Sequence, residues 1–230
     1  MYALFIANKN YSSWSLRPWV LMQQLSIPFG EKLFSFGSCD FRGFSPSGRV
    51  PCLHDGGTVV WDSLAITEYL AERHPGVWPS APGARAWARS AAAEMHSGFG
   101  VLRQHCGMNC GVRIRRNETP AAVQQDIARI DELWSEGMAR FGGPFLGGGE
   151  FTAADAFYAP VAFRVNTYGL ALSESAAGYA DRLLNLPAMQ RWYAEALREP
   201  WRDQAHEEEI RQYGTCLEDQ RLSITPADRR

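Results

Sequence analysis

Long apolar runs are missing from this chain. No stretch of its 230 residues approaches the roughly 20 apolar positions that cross a bilayer, so no membrane span is expected. The first apolar run, Tyr2–Ala7, has neither a basic leader nor the length of a secretion signal, and the cytoplasm is the expected location. An excess of one charge is missing too. Lys and Arg total 23 against 25 Asp and Glu, the formal net charge is −2, and no basic run is longer than residues 113–116. A binder of phosphate backbones concentrates basic residues on one face, so nucleic acid is not an expected partner. Cysteine is sparse: the five residues Cys39, Cys52, Cys106, Cys110 and Cys216 are odd in number and scattered, which argues against a disulfide framework. Cys106 and Cys110 lie one helical turn apart beside His105, but they lack the further ligands of a zinc site, and no metal is expected.

Apolar residues are plentiful, at 46% of the chain, enough for a sizeable core in one large or two modest domains. The first 75 or so residues alternate strand and helix. Tyr2–Ala7 reads as a strand, residues 20–25 as a helix with apolar positions three and four apart, and residues 31–36 as a second strand. Residues 37–48, rich in Gly, Ser and aromatics, are irregular with room for one short helix. Residues 50–54 and 58–61 flank Asp55-Gly56-Gly57, a hairpin signal, and Asp62-Ser63 caps a helix over residues 64–74. The order β-α-β-loop-β-β-α is a small α/β layer. Prolines and glycines between His74 and Arg85 then break the pattern. Beyond them helices are expected over 86–106, 120–141, 153–168, 187–198 and 201–213. The expected division is an α/β domain over 1–78, a linker over 79–87, an all-helical domain over 88–215 and a polar, poorly ordered tail over 216–230.

Between the first strand and helix lies Asn8-Lys9-Asn10-Tyr11-Ser12-Ser13-Trp14-Ser15-Leu16-Arg17-Pro18-Trp19. Hydroxyls in such a turn stand beside the unpaired N–H groups of a helix start. Pro18 lacks an N–H and is harmless only in a first turn, so the cap is expected at Ser15, with Leu16 and Arg17 as alternatives. Ser12 and Ser13 then precede the helix and are free to meet a ligand, and helix N-termini favour anions. Two serines ahead of a helix are ordinarily a cap and a turn, Asp62-Ser63 is ordinarily a plain cap, and an isolated Val50-Pro51 says little. Their joint order within one β-α-β-loop-β-β-α unit followed by helices is what lifts them.

In that order the chain resembles a glutathione transferase, with a thioredoxin-like first domain and an all-helical second domain. Ser12-Ser13-Trp14-Ser15-Leu16-Arg17 is similar to the zeta-type motif, in which two serines precede a cysteine and then Ser-Trp-Arg. Val50-Pro51 is similar to the family's cis-proline element, and Asp62-Ser63-Leu64-Ala65-Ile66 to its acidic-Ser segment; the likeness runs from Met1 to about Ala205. The resemblance implies glutathione as co-substrate, bound by Arg49, Val50, Pro51, Asp62 and Ser63. A cis bond before Pro51 would turn the backbone groups of Val50 toward an extended peptide. Asp62 and Ser63 suit the γ-glutamyl amine and carboxylate, and Arg49 or Arg42 the glycyl carboxylate. By its place in the motif Ser12 is the first choice to hold the thiolate, Ser13 the second and Tyr11 the third. Lowering a thiol pKa by about two units takes roughly 2.7 kcal/mol. A hydrogen bond to a charged partner supplies about 1.5–3 kcal/mol, and a helix start adds roughly 0.3–1 kcal/mol. One serine and the helix start therefore suffice, without a general base.

The second substrate is expected against the helical domain, in a pocket of Tyr11, Met95, His96, Phe99, Met108 and Asn109, although such a stripe is core more often than pocket. Thr152-Ala153-Ala154-Asp155, with Phe151 ahead of it, resembles the family's capping box and is expected to start a core helix. Trp14 stands where the zeta motif has cysteine, which weakens an isomerase reading. Ser12 and Ser15 stand where redox thioredoxin-like proteins hold two cysteines, so no disulfide exchange runs through this turn. The implied activity is conjugation of glutathione to small hydrophobic electrophiles. The alternatives are a glutathione-dependent isomerase of the maleylacetoacetate isomerase type and a non-catalytic glutathione-binding protein. The resemblance also implies a homodimer, with Phe41, Phe44 and Trp87 as soft support from the sequence.

Overall fold

Strand β1 (Tyr2–Ala7) buries Leu4 and Ile6 on one face, as its alternating pattern requires, and is the strand on which the first domain is assembled. In the computed structural model, which describes residues 1–222, β1 pairs in parallel with β2 (Phe29–Phe34) and antiparallel with β3 (Cys52–Asp55). The hairpin partner β4 (Thr58–Val60) completes a sheet ordered β2-β1-β3-β4. The parallel pair needs a crossover, and helix α1 (Ser13–Gln24) provides it. Helix α2 (Ser63–Ala71) closes the domain, capped by Asp62, whose carboxylate accepts from the Leu64 amide at 3.0 Å. Strand β2 lies two residues earlier in the chain than its expected position.

The start of α1 corrects the sequence reading. The cap is Ser12, one turn before the expected Ser15, and Pro18 stands inside the helix. The turn itself fixes this start: Ser12 donates its amide to the Asn8 carbonyl at 2.8 Å, and Leu16 donates the first intrahelical bond to Ser12 at 3.2 Å. Pro18 removes only the bond that would have reached the Trp14 carbonyl. Burial on nearly every side, from Leu16 to Met22, holds the helix between the sheet and α6 (Ala153–Tyr168).

The second domain is mostly helical, with additions. Where one helix was expected over 86–106 there are α3 (Pro82–Ser97) and α4 (Gly100–His105). Phe99 takes a left-handed φ of 54° between them, and a Cβ on Gly98 would meet the Glu94 carbonyl at 2.7 Å. The next helices are α5 (Ala121–Phe141) and α6, whose Thr152/Asp155 capping box forms as expected. Asp155 is wholly buried and also accepts from the Leu146 amide and the Tyr179 hydroxyl. A helix absent from the sequence reading, α7 (Glu174–Leu184), precedes α8 (Pro187–Arg198) and α9 (Gln204–Tyr213). Strands β5 (Val112–Arg116) and β6 (Gly214–Asp219) form an antiparallel pair. That pair corrects the expectation of a loose tail through residue 222: Arg221 is buried and ion-paired to Glu207 and Asp219. The remainder of the tail, 223–230, lies outside the described residues.

Candidate active site

The turn that carries the candidate serines is clamped from both domains. Asn8 accepts the Phe36 amide on its side-chain oxygen at 2.7 Å. Lys9 and Asn10 donate their backbone amides to the Glu199 carboxylate, and Asn10 donates its side-chain amide to the Ala196 carbonyl. The Lys9 carbonyl accepts from the Trp192 indole at 2.9 Å. The Lys9 ammonium is buried between the rings of Trp19 and Trp192, at 4.9 and 5.2 Å, and is paired with Glu31 at 2.7 Å and with Glu195. Helix α8 thus fixes the turn from which α1 emerges.

At that start the Ser12 hydroxyl donates to Ser15 Oγ at 2.7 Å, and Ser15 Oγ also accepts the Ala7 amide at 3.3 Å. The Ser13 side chain is in no hydrogen bond among the described residues, and the amides of Trp14 and Ser15 lie in the first turn, where no intrahelical acceptor exists. Tyr11 through Trp14 line one wall of a cleft of about 430 Å³. Arg49 and Val50 lie on the loop side; Arg103, Met108 and Arg164 come from the helical domain, and His206 and Glu209 from α9. A second lobe, about 420 Å³, shares Trp14, Arg49 and Val50 and extends to Pro51, Trp61, Asp62 and His96. The Val50–Pro51 bond is cis, as the resemblance implied. His96 Nε2 stands 3.4 Å from Asp62 Oδ2, bringing the two domains together across this lobe. Ser63 is wholly buried beside Asp62 without lining either lobe, and its hydroxyl has no partner among the described residues. Such an orphaned hydroxyl at a helix start fits a carboxylate ligand.

Residues 11–73 match the glutathione S-transferase N-terminal domain, and residues 85–195 the glutathione S-transferase C-terminal domain. The chain belongs to the glutathione S-transferase family. It is 30% identical over 141 residues to a probable maleylacetoacetate isomerase of Caenorhabditis elegans, covering 57% of this chain and 63% of that protein. It is 30% identical over 124 residues to a zeta-class glutathione S-transferase of Euphorbia esula, covering 53% and 55%. These matches therefore span little more than half the length of either relative. Among solved structures, a theta-class glutathione S-transferase from Xanthomonas axonopodis pv. citri with glutathione bound superposes with a TM-score of 0.62 at 25% identity, covering 84% of this chain and 96% of that one. Together with the sheet and the helices, these likenesses give the thioredoxin-like domain followed by a helical domain.

Of the residues singled out by sequence, Ser12, Ser13, Tyr11, Arg49, Val50 and Met108 meet in the first lobe, and Pro51, Asp62 and His96 in the second. Met95 is wholly buried in the core, and Phe99 and Asn109 are buried without lining either lobe. Asn109 instead donates to Glu207 and accepts from Thr167. Tyr11 lines the cleft, but its phenol donates to Glu207 at 2.7 Å and accepts from Arg221 at 3.1 Å; burial and then Glu207 push its pKa up. Its hydroxyl is committed away from the sulfur position at the α1 start. Arg42 packs along Gly48, which has a φ of 66°. Phe44 stacks on Phe34, Phe41 meets Phe34 edge-on, and Trp87 packs on Phe141; Phe41 is buried, while Phe44 and Trp87 are half-buried.

Sequence reasoning passed over three arginines. Arg17 is buried with its guanidinium 4.1 Å over Trp14 and 4.9 Å over Phe157, and its Nε and Nη1 have no partner among the described residues. Burial, and then the nearby Arg164 and Arg103, lower its pKa. Arg103 stacks 5.2 Å from the Trp14 ring. Arg164 stood out in principle, as the one basic residue in the otherwise apolar run of α6.

Proposed function

We propose that this family member is a transferase that holds glutathione as a thiolate at the start of α1 and conjugates it to small hydrophobic electrophiles. The observation that carries the reading is the cluster of donors in the cleft: the Ser12 and Ser13 hydroxyls beside the first-turn amides of Trp14 and Ser15. A hydroxyl pair reverses direction without moving its heavy atoms. With Ser15 held by the Ala7 amide and donating to Ser12, the Ser12 proton is released toward sulfur, so Ser15 is a positioning residue. Ser13 supplies a second donor. Arg49, Val50 and Pro51 line the path of the tripeptide, and Asp62 and Ser63 receive its γ-glutamyl end. In conjugation to a halide, the sulfur lone pair forms the C–S bond and the halide leaves with the pair from the broken C–X bond. The resemblance also carries the proposal of a homodimer, and a monomer by sedimentation at micromolar concentration would refute it.

The test is the pKa of glutathione bound to wild type, Ser12→Ala, Ser13→Ala and the double variant, followed by thiolate absorbance. Loss of one hydrogen bond to the anion, about 1.5–3 kcal/mol, raises that pKa by roughly one to two units. Turnover near neutral pH then falls about 10- to 100-fold. An unshifted pKa in the double variant, or no binding of glutathione, would sink the assignment. The likeness to a probable maleylacetoacetate isomerase favours one second reading, a glutathione-dependent isomerase. Product analysis separates the two, because an isomerase consumes no glutathione. Binding without turnover across a panel of electrophiles would leave a binding protein.

A further inference from the structure

The helical wall of the cleft is cationic where a pocket for hydrophobic electrophiles would be apolar throughout. Arg103 and Arg164 both line it, from α4 and α6. Their hydrogen bonds run to backbone carbonyls: Arg103 Nη1 to His96 at 3.2 Å and Arg164 Nε to Cys106 at 2.8 Å. Arg17 lies behind Trp14, not on the wall itself, and is 1% exposed with two nitrogens unpartnered among the described residues. Two of the nearby acids are bonded to backbone amides, and Glu209 acts on Arg164 only through space. Asp62 caps α2, Asp126 accepts the Leu102 amide of α4, and Glu209 shares the wall without being ion-paired to any of the three arginines among the described residues. Guanidinium groups removed from water ordinarily have anionic partners, so Arg17 and Arg103 against the Trp14 indole, with Arg164 on the same cleft wall, favour negative charge there.

We propose that the second substrate carries a carboxylate, held by Arg103 and Arg164 with the charge of Arg17 behind them, while its apolar body lies against Met108 and Phe36. The reaction depends on the transferase reading above; the anion site does not. Glutathione also carries carboxylates, but Pro51 and Asp62, proposed to bind it, line the second lobe, whereas Arg103 and Arg164 line the first from the helical domain.

The experiment is isothermal titration of the whole protein with a chloronitrobenzoate and with its methyl ester, each with and without saturating glutathione. Wild type, Arg103→Met and Arg164→Met are compared, and the readout is the ratio of acid to ester affinity. The expected ratio is at least tenfold in wild type, is retained when glutathione is bound, and falls to near one in Arg103→Met. Arg164 also supports the backbone at Cys106, so Arg103→Met keeps the test open if Arg164→Met fails to fold. A wild-type ratio near one, or a ratio that Arg103→Met leaves intact, overturns the proposal. So does a preference that vanishes once glutathione is bound, because the cations would then serve the tripeptide. Failure of glutathione itself to bind refutes the transferase reading and leaves the acid-to-ester ratio to stand or fall alone.

Discussion

Two cations on the same short stretch of chain, Lys9 and Arg17, are removed from water almost completely, and their surroundings could hardly differ more. Lys9 is neutralised in place, with Glu31 and Glu195 on its ammonium and tryptophan rings flanking it. Arg17 has aromatic rings and, among the described residues, no carboxylate bonded to it, with Asp62 acting only through space. Desolvation of an ion costs several kcal/mol in a real protein, and cation–π contact returns about 2 kcal/mol when desolvated. Lys9 is therefore compensated within its own shell, whereas Arg17 is a liability that the rest of the fold must outweigh. The first arrangement stabilises the turn under the candidate active site; the second leaves a positive charge behind the Trp14 face of the cleft.

The largest effect that would break this contrast is expected at Lys9. Lys9→Met removes the cation from two carboxylates and loosens the turn that α8 holds. Breaking a buried pair costs about 3–5 kcal/mol, and the lower end applies because both carboxylates keep some contact with water. Urea unfolding is expected to show a loss of about 3 kcal/mol. A near-neutral result would mean that Lys9, like Arg17, is held by the fold and not by its partners.

Much of this contrast was out of reach of the sequence. Capping and hairpin chemistry are local, so Asp62-Ser63, Thr152/Asp155 and the Asp55-Gly56-Gly57 turn were legible, and so was the joint order of Ser12, Pro51 and Ser63. The start of α1 was not, because Pro18 argues locally for a later cap while bonds from Asn8 and burial against α6 decide otherwise. Strand β6 was lost for a similar reason. Its residues are mostly exposed and polar, and only the pairing with β5, about a hundred residues away, gives them a structure. Arg103 and Arg164 were missed because helix pattern tells which residues face inward, and not which of them meet at a cleft.

The converse substitution, Arg17→Met, sharpens the contrast with the opposite sign. It removes an uncompensated charge and keeps an unbranched apolar stem between Trp14 and Phe157. Replacing a buried charge with an apolar group of similar volume is neutral or stabilising by about 1–4 kcal/mol, and the lost cation–π contacts reduce the gain to about 1 kcal/mol. The urea midpoint is expected to rise, while the acid-to-ester affinity ratio falls. A destabilisation comparable with that of Lys9→Met would show that Arg17 has a structural anion in the folded protein and would remove the reason for a substrate carboxylate.

The smallest effect is the pH dependence of the Lys9 contribution, and its sign follows from Glu195. Burial works to raise the Glu195 pKa, but hydrogen bonds from Lys9 and Arg191 overcome it and hold the carboxyl below its ordinary value. A group with a depressed folded pKa contributes stability that is whole above the unfolded value and lost as pH falls through the folded one. The stability gap between wild type and Lys9→Met should therefore be constant near neutrality and narrow as pH drops below about 4.5, the ordinary carboxyl range. Glu207 and Asp219 are also depressed, by bonds from Arg221 that prevail over burial, but they are present in both proteins and cancel in the difference. Glu199 is raised chiefly by burial, and its bonds to the Lys9 and Asn10 amides come from backbone that the substitution leaves in place. Loss of the Lys9 charge, which lowers it, raises it further in the variant and so narrows the gap in acid in the same direction. Arg17→Met, which breaks no bond to a carboxylate among the described residues, should run parallel to wild type through the same range. A Lys9 gap that stayed constant in acid would mean that the tryptophan rings, and not the carboxylates, hold the ammonium. The difference between the two cations would then be one of shape alone.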